Sequence, residues 1–150
     1  MMGSATHSLV KALQGVPDLA SLDDHALLAI VGASMNLFYA PGAKIFEKEA
    51  ASEGLYIVLS GEVRVFDPDD PEGGESRVGP GRSFGELSLL LERKHSKTAE
   101  AVIDTELMVL PEESFRELLE HTPDLARHFE RRLAEQVQVR GETSEGPEIS

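Results

Sequence analysis

Leu55-Tyr56-Ile57-Val58-Leu59, then Ser60-Gly61, then Glu62-Val63-Arg64-Val65-Phe66, is the stretch on which the fold turns. Two runs of aliphatic and aromatic residues flank a serine–glycine pair, which reads as strand, tight turn, strand. Outward from it, short runs rich in Val, Ile, Leu, Phe and Tyr extend from Met35 to about Leu110, punctuated by glycines 42, 54, 61, 79, 81 and 85. Asp67 to Glu75 holds two prolines, two glycines and five acids, a solvated loop. After a loop and short helix within 79–96, Ala99, Ala101 and Ile103 alternate with mostly polar neighbours, and Leu107 to Leu110 is continuously apolar. Regularly spaced short strands with turn signals predict a barrel or sandwich.

Helices are predicted on both sides. Leu9, Val10 and Leu13 suggest a short one before Gly15 and Pro17. Ser21 reads as an N-cap, with Asp23 and Asp24 in the first turn, and Leu22, Ala26, Ile30 and Ala33 recur at helical spacing over 22–34. Pro111, Glu112 and Glu113 open a later helix with Phe115, Leu118 and Leu119 as its buried stripe. Thr122 and Pro123 are an N-cap and first-turn pair for the last helix. Ala126, Phe129, Leu133 and Val137 share one of its faces, and Arg140 suits its C-terminal end. The division expected is an N-terminal helical segment at 1–20, one domain at 21–139 and a disordered tail at 140–150.

Composition narrows the function. The 150 residues make about one domain, with 41% hydrophobic and 27% charged residues. Acids outnumber bases 27 to 14, a net charge of −13, which argues against a nucleic-acid partner. Without cysteine there is no disulfide, thiolate-held metal or thiol nucleophile. Ala26 to Met35 is too short to span a bilayer, and no basic region precedes an apolar stretch at the N-terminus. The expectation is a cytoplasmic domain without a membrane contact.

Two enzyme patterns fail on context. Gly81-Arg82-Ser83-Phe84-Gly85 fits the hydrolase elbow, but that elbow needs a strand–helix alternation this chain lacks. Gly79, Gly81 and Gly85 sketch a dinucleotide loop with the third glycine one residue late. The histidines at 7, 25, 95, 121 and 128 show no metal-ligand spacing, so a metal-dependent cupin-like enzyme is a distant rival. Local charge is more informative. Residues 93–97 read Arg-Lys-His-Ser-Lys, with Arg82 upstream, just after Gly85-Glu86-Leu87-Ser88-Leu89-Leu90-Leu91, which reads as a short helix following a glycine loop. On charge alone this is a solvated basic loop; beside a helix start and a glycine it becomes a candidate phosphate site, with Glu86 as acceptor for a sugar hydroxyl.

Phe84-Gly85-Glu86-Leu87-Ser88-Leu89, a variable stretch, then Lys97-Thr98-Ala99 resembles the phosphate-binding cassette of cyclic nucleotide-binding domains. Pro41-Gly42, the Leu55–Val63 run, Gly79-Pro80-Gly81 and the Phe115…Leu118-Leu119…Pro123…Leu125-Ala126 stretch recur in that family's order, so the resemblance covers about 22–138. It implies a mainly β fold: an antiparallel, jelly-roll-like β-roll (a double-stranded β-helix) with an N-terminal helix and a C-terminal helix pair. It also implies a ligand site of Phe84, Gly85, Glu86, Leu87, Ser88, Lys97, Thr98 and Ala99, with Glu86 on the ribose 2′-hydroxyl. Residues 123–139 would form a lid and dimer seam. Where the family has Arg this chain has Lys97, after a gap a residue or two longer, and Lys cannot make the guanidinium's two-pronged contact. Arg93 and His95 are therefore further candidate phosphate partners.

The function implied is a non-enzymatic regulatory module. It would bind cAMP or cGMP, need no cofactor besides that ligand, and signal through its C-terminal helices to a downstream protein. A homodimer is expected from the apolar stripe of the last helix. The alternative is a degenerate β-roll that has lost its nucleotide and serves as a dimerisation or protein-interaction module. The residues from Gly141 to Ser150 are too few for a helix-turn-helix.

Overall fold

The decisive stretch does form two strands, but they belong to different sheets. In the computed structural model, which describes residues 9–91 and 93–143, β3 (Gly54–Ser60) pairs antiparallel with β8 (Thr105–Pro111) and β6 (Ser83–Phe84). The next strand, β4 (Val63–Phe66), pairs with β5 (Glu75–Val78) and β7 (Thr98–Ala101). Ser60-Gly61 thus carries the chain from one sheet to the other instead of closing a hairpin. Gly61 has φ +96°, and a Cβ there would lie 2.4 Å from Thr105 Oγ1. Only glycine fits so close to β8. With β1 (Met35–Tyr39) and β2 (Lys44–Phe46), the sheet orders are β1-β8-β3-β6 and β2-β7-β4-β5, all neighbours antiparallel. This is the expected mainly antiparallel β-roll with helices on either side.

β3 reads as a continuous apolar run because both its faces are covered. Tyr56 and Val58 point between the sheets, where they join Val63, Val65, Phe84 and Leu107. Leu55 and Ile57 point outward, with Met108 and Leu110 of β8, into a second core built by the helices. That core takes Leu13, Val16 and Leu19 from the N-terminal segment and Leu27 and Ile30 from α2 (Asp24–Ala33). It also takes Phe115 of α4 (Glu112–His121) and Leu125 and Phe129 of α5 (Pro123–Thr143). Phe115 and Phe129 meet edge to face, centroids 5.3 Å apart.

Several boundaries differ from the sequence reading. The N-terminal segment is helical over 9–14 (α1), then makes a 3₁₀ turn at Pro17–Leu19. α2 is capped by Asp23, whose carboxylate accepts from Ala26 N–H at 2.9 Å, and not by Ser21; Leu19 to Leu22 still belong to the preceding turn. The acidic loop ends early, because Glu75 already pairs with Phe66. Ile103 is 52% exposed in the β7–β8 connection and is not a strand residue. The buried face of α5 is centred on Leu125 and Phe129; Ala126 and Leu133 are half-buried, and the side chain of Val137 lies outside the described residues. The helix runs to Thr143. Gly141 costs a helix only about 1 kcal/mol, and no proline stops it there. Residues 144–150 lie outside the described ones.

Candidate functional site

The cassette begins where β6 stops. Phe84 is fully buried, stacked on Tyr56 with centroids 5.1 Å apart. Gly85 follows at φ +85°, where a Cβ would sit 3.0 Å from the Tyr56 ring. Its positive φ turns the chain into α3 (Glu86–Leu90), the helix that carries Glu86, Leu87 and Ser88. The Leu87 side chain lies outside the described ones.

Glu86 is 1% exposed. Its Oε1 accepts from Arg132 Nη2 of α5 at 2.8 Å, while Oε2 has no partner among the described residues. Burial pushes its carboxyl up to about 7, against the opposing pull of the Arg132 charge. Ser88 is fully buried and its Oγ is also without a partner among the described residues.

His95 lies 1% exposed, its ring stacked at 3.5 Å and 5° on Phe46, which also contacts Tyr56 and Phe84. Both ring nitrogens lack a hydrogen bond among the described residues, and burial lowers the imidazole to about 4, so the ring is neutral at pH 7. The backbone holds this segment in place: His95 N–H donates to Ala50 at 3.0 Å, and Glu49 N–H donates to His95 at 2.9 Å. Arg93 N–H donates to Ser88 O at 3.0 Å, folding the segment back on α3.

The remaining cassette residues divide. Ala99 is fully buried between the sheets. Thr98 is buried, but its Oγ1 accepts from Lys48 N–H at 3.0 Å, which ties β7 to the chain after β2. Lys97 is half-buried just before β7 and lies within electrostatic reach of Asp67. That carboxyl is held below its usual range chiefly by Lys48 and the Asp69 N–H, with Lys97 adding to the pull. Phe84, Gly85, Glu86, Ser88, His95, Thr98 and Ala99 are thus buried, and Lys97 is half-buried.

Sequence reasoning missed four residues that converge on the same place. Asp18, in the 3₁₀ turn, accepts from Arg132 Nη1 at 2.5 Å and from the Ser83 hydroxyl, and meets His128 Nε2 at 2.8 Å. Ser83, the serine of the elbow pattern, therefore donates to a carboxylate. His128 and Arg132 fall at i+3 and i+7 from Leu125, on the buried face of α5. That spacing was the available signal, and two polar residues on it hid the face. Among the described residues no three His, Asp or Glu gather as a metal site, and no helix is long and apolar enough to cross a membrane.

The family model of the cyclic nucleotide-binding domain matches residues 36–122, from β1 through α4. The cyclic AMP receptor protein of Thermus thermophilus is 39% identical over 103 residues, covering 66% of this chain and 47% of that protein. The cAMP-dependent protein kinase type II regulatory subunit of Drosophila melanogaster is 32% identical over 90 residues, covering 59% and 24%. The chain thus spans less than half the length of these relatives. In fold it is similar to the sensor domain of the transcriptional regulator DNR from Pseudomonas aeruginosa. That match has a TM-score of 0.82 at 19% identity and covers 93% of this chain and 95% of that one.

Proposed function

The chain belongs to the cyclic nucleotide-binding domain family, and on that premise we propose that it is a non-enzymatic regulatory module. It binds cAMP or cGMP in the β-roll and relays occupancy through α4 and α5 to a downstream protein. One observation carries this reading: Glu86 Oε2, Ser88 Oγ and both His95 ring nitrogens are buried in the cassette without partners among the described residues. Each such group costs about 1–3 kcal/mol when left unpaired. A ligand bearing hydroxyls and an anion supplies what they lack, with Glu86 Oε2 accepting the ribose 2′-hydroxyl.

Lys97 is the phosphate partner in this reading, supported by its position at the cassette edge. It gives a point charge where a guanidinium would give two parallel contacts, so the phosphate contributes less than it would opposite an arginine. The half-buried Ala126 and Leu133 on α5 favour a homodimer seam. The net charge of −13 favours a partner other than duplex DNA and fits a cytoplasmic setting.

Melting curves with cAMP and with cGMP test the proposal. Ligand near 100 times its dissociation constant adds about 2.7 kcal/mol, which for a chain of this size raises the Tm by roughly 5–10 °C. A flat response to both at millimolar concentration would leave a β-roll that works only as a dimerisation or protein-interaction module.

A further inference from the structure

α2 and α4 both pack on β8, and between them lies an apolar groove of about 270 Å³. Ala29, Ile30 and Ala33 make its α2 wall, Leu110 of β8 its floor, and Ser114 and Leu118 part of its α4 wall. Glu117 and His121 complete the α4 side.

The two walls differ in charge. From Ala26 through Ala43 the chain has no charged residue, so the α2 wall is neutral. On α4, Glu113, Glu117 and Glu120 fall at i, i+4 and i+7, an exposed acidic stripe along the rim. Arg116 is turned to Glu112 at 3.0 Å, and none of the three stripe carboxylates has an ion pair among the described residues.

We propose that this groove is a docking site for an amphipathic helix of a partner protein, apolar on the face laid between α2 and α4 and rich in lysine or arginine along the edge that meets the Glu113–Glu117–Glu120 stripe. This goes beyond the nucleotide reading. Neither wall contains a cassette residue, and α2 lies outside the residues 36–122 that the family model matches.

The hydrogen-bonding capacity of the groove selects a helix. The backbone of both walls is engaged within α2 and α4, and His121 Nδ1 already lies 2.9 Å from Glu117 O. An extended segment would leave its own N–H and C=O groups unpaired there. A helix pairs them internally and needs only apolar side chains to seat, spaced i, i+3, i+4 and i+7. The α4 wall from Ser114 to His121 is about 10 Å long, two helical turns. Ala29, Ala33 and Ser114 are small, which lets a third helix approach to the usual interaxial distance of about 8–10 Å. Charge selects the partner. A second copy of this chain would bring a net charge of −13 toward an acidic rim, whereas a basic helix is drawn to it.

The test uses the full chain and three fluorescein-labelled helical peptides of about four turns each. The first carries leucines at i, i+3, i+4 and i+7 and lysines along one flank. The second has glutamates in place of the lysines, and the third has serines in place of the leucines. By anisotropy at low salt the first should bind in the micromolar range, and the other two at least about tenfold more weakly. Glu113→Gln with Glu117→Gln and Glu120→Gln, which keeps the shape of the rim, should weaken the first peptide by roughly tenfold. Ala33→Trp, which fills the groove from an exposed position, should weaken it by about as much or more. Nitrogen-15 NMR of the wild type should place the peptide-induced shifts on Ala29, Ala33, Ser114 and Leu118.

Equal binding of the lysine and glutamate peptides, or of the leucine and serine peptides, would overturn the proposal, as would shifts centred elsewhere in the chain. Shifts at these residues that follow protein concentration without any peptide would assign the groove to a second copy and overturn it too. So would the absence of binding by the lysine peptide at about 1 mM.

Discussion

Replacing Glu86 by Gln keeps the shape of the side chain and an oxygen for Arg132 while removing the titration. In the wild type the carboxyl titrates near 7 when folded, raised from an ordinary 4.5 first by burial and eased only in part by Arg132. A group raised in this way contributes stability that is fully present below 4.5 and lost as the pH rises through 7. The unfolded chain gives up its proton over that interval while the folded one keeps it. At about 1.36 kcal/mol per pH unit, the loss comes to about 3 kcal/mol. Glu86→Gln does not share it. Urea unfolding of both proteins at half-unit steps from pH 4.5 to 8 should therefore show Glu86→Gln gaining about 3 kcal/mol on the wild type across the range. Other titrations cancel in the difference. A difference that stays flat would mean that the buried carboxyl is not perturbed. A difference that runs the other way would mean that the Arg132 pair outweighs desolvation.

The opposite sign is expected at His95, which burial lowers from 6.5 to about 4. Its contribution is present above 6.5 and lost as the pH falls through 4, so His95→Leu should gain about 2 kcal/mol or more on the wild type between pH 7 and 4 in the same urea assay. Phe129→Ala should cost about 3–5 kcal/mol, because the ring is 1% exposed and packed edge-on against Phe115. A loss under 1 kcal/mol by chemical denaturation would mean that α5 is not docked on the second core.

The strands were legible because the apolar runs of β3 and β8 follow from burial on two faces, and a period of two then assigns each residue to a core. The crossing at Gly61 was not: a tight turn between two strands looks the same in sequence whether the strands pair or separate. What separates them is the approach of β8 to Gly61, a contact between distant parts of the chain. The cassette was visible as a run of residue types, and Glu86 could be singled out within it. Its partner could not. Arg132 is 46 residues from Glu86 and 114 from Asp18, and an ion pair at such separation leaves no periodic trace. The apolar stripe chosen on α5 followed Ala126, Phe129, Leu133 and Val137, whereas the buried face also carries His128 and Arg132. Both are polar residues whose partners, Asp18 and Glu86, lie inside the fold.

The most direct test of the cassette as a ligand site is a calorimetric titration of cAMP into the wild type, Glu86→Ala, Lys97→Ala and Lys97→Arg at pH 8, where Glu86 is ionised. The account expects one site per chain in the wild type and loss of most binding in Glu86→Ala. Lys97→Ala should lose about 1.5–3 kcal/mol, the contribution of a hydrogen bond to a charged group. Lys97→Arg should keep the affinity or raise it, since a guanidinium adds a second parallel contact. Equal heats from all four proteins, or none from the wild type, would contradict the account.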